Sequence, residues 1–206
     1  MTRRLSPTYT CGLDLGQQRD YTALVILETS TLLFPERNPV TFEFLTRHQI
    51  ALCHLERFPL RTSYTAIVEN LSDLLIQRPL FGLSTLVLDA TGPGLPVYDL
   101  LKHARNFPAT LKPVTITAGD HVTRDGRFYR IPRRHLLSHL HTQLTTRSIS
   151  VSPGLPDAQA LIRELAAITH SFESSAKHDD LAIATALAAW FSTQPKIGHQ
   201  PNPFRL

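Results

Sequence analysis

The sequence predicts an α/β fold built on a mixed five-stranded sheet, three antiparallel strands followed by parallel ones, with helices on its flanks. Two observations carry this. Thr8 to Leu15 reads as a strand that ends on a lone carboxylate, Tyr21 to Leu27 is rich in β-branched and aromatic residues, and the short polar connection Gly16 to Asp20 has the length that joins antiparallel neighbours. Further on, Thr85 to Thr117 alternates strand, helix and strand, which implies a right-handed parallel crossover.

The elements follow in order. Pro39 to Cys53 carries Val40, Phe42, Phe44, Ile50 and Leu52 at alternating positions, the period of a half-buried third strand, and Pro35, Asn38 and Pro39 mark the turn before it. Thr62 or Ser63 caps a helix with Ile67, Leu71, Leu74 and Leu75 at helical spacing, ending before Pro79. Thr85 to Asp89 is apolar until its terminal acid, like a buried parallel strand whose carboxyl end faces a site. A turn at Thr91 to Gly94 leads to a helix opened by Pro96, and Leu111 to Thr117 makes the fifth strand. Ala118 to Ile131 reads as a polar loop and Pro132 opens a helix with Leu136, Leu137, Leu140 and Leu144 on its apolar side. After a short run at Ser148 to Val151, the helix from Asp157 to Thr169 shows Leu161, Ile162, Leu165 and Ile168 on one side. Ser171 to Lys177 is a polar link. The last helix begins at Asp179 and Asp180 and turns Leu181, Ala184, Leu187, Ala188 and Phe191 inward.

A length of 206 residues suits one domain over residues 1–193, with a loose proline-containing tail over 194–206. There is no apolar run of the roughly 20 residues that span a bilayer, and the two arginines at the start have no apolar segment behind them. A cytoplasmic protein without membrane partners is expected. Cys11 and Cys53 lie in apolar strands and read as buried thiols, not a disulfide.

Three separated acids stand out. Asp14 ends the first strand between Leu13 and Leu15, where a carboxylate is costly to desolvate unless it meets a cation or donors; a strand-end acid turned to solvent is the plainer alternative. With the first strand central and the fourth beside it, Asp14 and Asp89 become neighbours. A closing helix packed over that edge adds Asp179 and Asp180, although acids in a first helical turn also arise from the helix dipole alone. Clustered carboxylates repel one another and call for a hard divalent cation. Two Mg²⁺ or Mn²⁺ ions about 3.5–4 Å apart would support phosphodiester hydrolysis. His178 is either an outer donor to such a site or a solvated histidine.

The net charge of +4 is concentrated: Arg124, Arg127, Arg130, Arg133 and Arg134 share one window with Asp125. They read as contacts to a DNA backbone, or else as a solvated basic surface. Phe128 and Tyr129 among them suit either base stacking or the core.

The strings GLDLGQQRDYTAL, LDATGPGLPVYDLL, PVTITAGD and HDDLAIATALAAW, in this order from Cys11 to Phe191, resemble the C-terminal nuclease domain of phage terminase large subunits. The resemblance implies a ribonuclease H-like fold and a metal-dependent endonuclease of DNA packaging, working in a bacterial host or phage-infected cell. It implies Asp14, Asp89 and the Asp179/Asp180 pair as metal ligands, with Asp20 in a supporting role. It also implies a separate ATPase motor or packaging proteins as partners, because no G-x-x-x-x-G-K-[ST] loop occurs in this chain. An additional acid of some relatives is missing, since Ile183 and Ala184 stand one turn after Asp180. Other readings are a DNA-binding or assembly module with a decayed site, a sugar-kinase or actin-like phosphate hairpin at DLGQQRDYT, and a zinc site at His135, His139 and His141, which lacks the H-E-x-x-H pattern.

Overall fold

Alternation along the central strands determines which residues face which layer of helices. The structure, a computed structural model, describes residues 2–16, 20–151, 154–169 and 179–194. Its strands are β1 (Arg3–Arg4), β2 (Thr8–Asp14), β3 (Ala23–Arg37), β4 (Phe44–Arg57), β5 (Ser84–Asp89), β6 (Thr110–Thr117), β7 (Thr123–Asp125), β8 (Phe128–Pro132) and β9 (Ile149–Val151). Its helices are α1 (Tyr64–Leu75), α2 (Gly94–His103), α3 (Arg133–Thr145), α4 (Ala158–Thr169) and α5 (Asp180–Ser192). Across the sheet the order is β7-β8-β6-β5-β2-β3-β4-β9, with β1 paired to β3. The predicted five strands form its centre: β2 to β4 run antiparallel, and β5 and β6 continue parallel to β2.

The sheet is wider than the predicted five strands. Short strands β1, β7, β8 and β9 bring the described residues to nine, each too short to show a period in the sequence. Part of the expected loop at Ala118 to Ile131 is the β7–β8 hairpin, turning at Gly126 with φ 59°. The third strand also differs. Pro35 lies inside β3, at a break in the β3–β4 register between Leu33 and Arg37, where a residue without an N–H is tolerated. The turn is built instead by Asn38, whose Oδ1 accepts the amides of Val40 and Thr41 at 2.8 and 3.1 Å. Val40 and Phe42 therefore sit at the exposed tip, 82 % and 70 % accessible. A second irregularity, between Ile26 and Leu27, leaves Cys53 as the extra residue of β4, so its thiol is exposed and donates to the Ile26 carbonyl, while Cys11 is buried.

Odd residues of β2 and even residues of β3 and β5 (Cys11, Leu13, Leu24, Ile26, Leu86, Leu88) face α1 and α2, with Ile67, Leu71, Val97 and Leu101 opposite. Ser63 caps α1 as expected, its hydroxyl accepting the Ala66 amide at 3.2 Å. The other face carries Val25, Leu27, Leu52 and Val87 against α3, α4 and α5. Here α5 is not amphipathic: every residue from Asp180 to Trp190 is buried. It lies between the sheet and helices α3 and α4, not on the rim. In α4 the buried positions are Ala158, Leu161, Glu164 and Ile168, and the expected Ile162 is exposed. Phe128 and Tyr129 belong to the interior: Phe128 meets Tyr98 edge-on, and Tyr129 meets Trp190 and Phe191. Among the described residues no helix is long and apolar enough to cross a membrane.

Close approach of α5 to the sheet depends on Gly12, where a Cβ would lie 1.9 Å from the Ala184 carbonyl oxygen. Gly12→Ala is expected to lower stability by about 3 kcal/mol, read as a urea midpoint shift at unchanged slope. A shift near zero would mean that α5 is not held against β2 as described.

Candidate active site

The two strand-end acids come together through register. In the parallel β2–β5 pair, Gly12 stands opposite Val87 and Leu13 opposite Leu88, so Asp14 and Asp89 follow side by side at the carboxyl edge of the sheet. Period two places both on the face that carries Gly12 and Val87, the face covered by α5. Asp89 is fixed by Thr91, whose amide and hydroxyl both donate to its Oδ1, at 2.9 and 2.6 Å. The Thr91 hydroxyl oxygen accepts the Ile116 amide at 3.0 Å, tying the turn to β6. A glycine begins α2 because a Cβ on Gly94 would lie 1.8 Å from the Asp89 carbonyl oxygen.

The amino end of α5 supplies the other two acids. Asp179 is the N-cap residue, yet its side chain makes no capping bond; it pairs with Arg133, the first residue of α3. Asp180 is buried, with Arg57 of β4 at 3.9 Å. Arg57 pairs in turn with the buried Glu164 of α4, and its guanidinium lies 5.1 Å from the Tyr21 ring centroid. Glu164 Oε2 accepts the Ala182 amide at 2.8 Å, so an acid from α4 performs the capping that Asp179 does not.

The charges interact. Burial pushes the Asp14 carboxyl well above the usual carboxylate range, and the negative charges of Asp89, Asp180 and Asp179 push it further, with Arg133 opposing. Asp89 is raised by burial and held back by the Thr91 donors. Among the described residues, however, no group of three His, Cys, Asp or Glu side chains is drawn tightly enough to ligate one ion.

The remaining expected site residues are spread out. Asp20 is exposed. His178, the link Ser171 to Lys177 and the chain from 195 on lie outside the described residues. Arg134 turns outward and pairs with Asp120. Arg124 lies over Tyr129, 5.1 Å from the ring centroid, which puts it on the α5 face of the sheet. Arg130 alternates with Tyr129 and Ile131 and projects to the opposite face, while Arg127 occupies the hairpin turn. His139 bonds to the Thr193 hydroxyl at 2.9 Å, and His135 and His141 are exposed.

Arg57 and Glu164 were not singled out in the sequence. For Glu164 a signal existed: it falls three residues after Leu161 and four before Ile168, a charge on an apolar face. Burial raises its carboxyl from the ordinary 4.5 to about 7, the Ala182 amide and Arg57 only partly opposing. A carboxyl that holds its proton more tightly folded than unfolded contributes stability below the unfolded value, lost as pH rises through the folded one. In chelator, the stability of the wild type relative to Glu164→Gln is expected to fall by about 2–3 kcal/mol between pH 5 and pH 8. Urea midpoints at the two pH values measure this, and a difference that does not vary with pH would refute it.

No protein-family model and no curated protein matches the chain. Among solved structures, the large terminase nuclease from the thermophilic phage G20c is similar over 92 % of this chain and 84 % of its own, with a TM-score of 0.54 at 16 % identity. The nuclease domain of the g2p large terminase from bacteriophage SPP1, crystallised with bound Mn, is similar over 90 % of this chain and 86 % of its own, with a TM-score of 0.49 at 13 % identity. The chain thus has the ribonuclease H-like mixed α/β fold of the G20c large terminase nuclease.

Proposed function

We propose that the chain is a divalent-metal-dependent endonuclease that hydrolyses DNA phosphodiester bonds. The observation that supports this best is the convergence of Asp14 and Asp89, from neighbouring parallel strands, beneath the Asp179–Asp180 start of a buried helix. Asp14, Asp89 and Asp180 would hold Mg²⁺ or Mn²⁺, with Asp179 as a further ligand. The donors fit such ions in chemistry, being hard carboxylate oxygens whose mutual repulsion in a dry site a cation relieves. When bound, two ions supply an activated water and stabilise the leaving oxygen.

The chain's own residues do the rest. Thr91 fixes the orientation of Asp89, and Glu164 with Arg57 holds the first turn of α5. Arg124 and Arg127 on the edge hairpin bind backbone phosphates, which carries no sequence preference. Separate motor or packaging proteins would bring the DNA, a role suggested by the terminase fold. A non-catalytic DNA-binding or assembly module is the second reading, favoured by the Arg133 pair that already occupies Asp179. Calorimetry with Mn²⁺ separates the two, a decayed site binding feebly or not at all.

Plasmid incubated with the protein and Mn²⁺ is expected to be cut, and chelator, Asp14→Asn or Asp89→Asn each to slow cutting by about a hundredfold or more. Intact plasmid across Mg²⁺, Mn²⁺ and other divalent ions would remove the nuclease reading. For binding, Arg124→Ala with Arg127→Ala should flatten the dependence of log affinity on log salt by roughly 2, whereas Arg130→Ala, on the other face, should leave it nearly unchanged. Filter binding between low and moderate salt reads both slopes, and a change on Arg130→Ala as large as that of the double variant would refute this assignment of faces.

A further inference from the structure

The adjacent acids at the start of α5 are held by different cations. Asp180, buried, is approached by Arg57, which is itself committed to Glu164. Asp179 is held by Arg133, whose side chain is 30 % accessible. The Arg133 charge also acts on Asp14, so its influence reaches beyond the one carboxylate it pairs with. Its neighbour Arg134 diverges to Asp120. Connectivity explains the difference. β8 ends at Pro132 on the same sheet edge as β2 and β5, and Arg133 is the first residue past that edge.

We propose that Arg133 is a built-in counter-ion of the carboxylate site, which competes with a divalent cation for Asp179. The inference rests on the metal-binding reading above and concerns its regulation. A guanidinium with forked donors satisfies a carboxylate well, but it cannot bring several carboxylates to one point as a dication does. While Arg133 holds Asp179, that carboxylate is taken, and an ion that uses it as a ligand must displace the guanidinium. The pair therefore sets a threshold of metal concentration below which Asp179 stays with Arg133.

Calorimetric titration with Mn²⁺ alone tests this in four proteins: wild type, Arg133→Gln, Asp179→Asn and the double variant. Arg133→Gln is expected to bind about five- to tenfold more tightly than wild type, and the gain to shrink to under about twofold in the Asp179→Asn background, because the competition runs through that carboxylate. Affinity unchanged or weakened by Arg133→Gln overturns the proposal. So does an equal gain in both backgrounds, which would be a general field effect. Should Arg133→Gln fail to fold, Arg133→Lys, which keeps the charge and loses the fork, decides: tighter binding than wild type supports the competition, and equal or weaker binding overturns it. Wild type that binds Mn²⁺ through Asp14 while Arg133→Gln gains nothing sinks this inference alone. No Mn²⁺ binding by any of the proteins removes the metal-binding reading with it.

Discussion

The burial of α5 against β2 is the constraint on which the rest of the structure depends. A helix rich in alanine can approach a sheet closely, and Gly12 leaves out a side chain that would hold it off. Close approach lets the helix be covered on all sides, by the sheet below and α3 and α4 around it. It also forces the helix start, with two acids, over the edge where β2 and β5 end in acids of their own. Burying charge there is costly unless it is paired and hydrogen-bonded. The fold supplies pairing from three directions: Arg57 from β4, Arg133 from α3 and the Ala182 amide for Glu164.

The local charges do not balance. Asp14, Asp89, Asp179, Asp180 and Glu164 make five carboxyl groups, against two guanidiniums, Arg57 and Arg133. Three of these acids, Asp14, Asp89 and Glu164, have raised proton affinity. Burial is the first cause for each, and like charge adds to it for Asp14 and Glu164. A structural ion-pair network has no need of such an excess, because each buried carboxyl without a cation adds a desolvation cost that no pairing offsets. An excess at a sheet edge is in keeping with the cation-binding role proposed above.

The elements legible in the sequence were those whose signal is local. Ser63 before an apolar helical period, TLVLD before a glycine turn and HDD before an alanine run each determine their own structure, and the parallel crossover follows from their order. What was not legible depended on partners far along the chain. The bulge at Cys53 shifts the alternation of β4 so that Leu52 and Leu55 share a face, which no period-two template anticipates. Pro35 marked a turn by composition, but β3 runs through it and Asn38 makes the turn. The β7–β8 hairpin carried a sequence signal, Asp125-Gly126, obscured by its arginines. Arg57 could not be found from sequence at all, since an arginine at a strand end is ordinary until Glu164 and Asp180 are seen beside it.

The same register argument divides the arginine window by position. The carboxyl ends of β2, β5, β6 and β8 share one edge, because each neighbouring pair runs parallel. A residue just past β8 therefore falls at the acids, and that residue is Arg133. Arg124 lies on β7, three strands from β5, or about 14 Å at the usual strand spacing. At roughly 3.4 Å of rise per base pair, that separation corresponds to about four base pairs of duplex. On the nuclease reading proposed above, a duplex lying across the edge would have one phosphate at the acids and another at Arg124, without any base being read. Fold likeness alone would not assign such a division, since one architecture carries many chemistries. The division comes from strand direction and alternation, which send consecutive arginines of one basic window to an inner ion pair, an outer ion pair and a free edge.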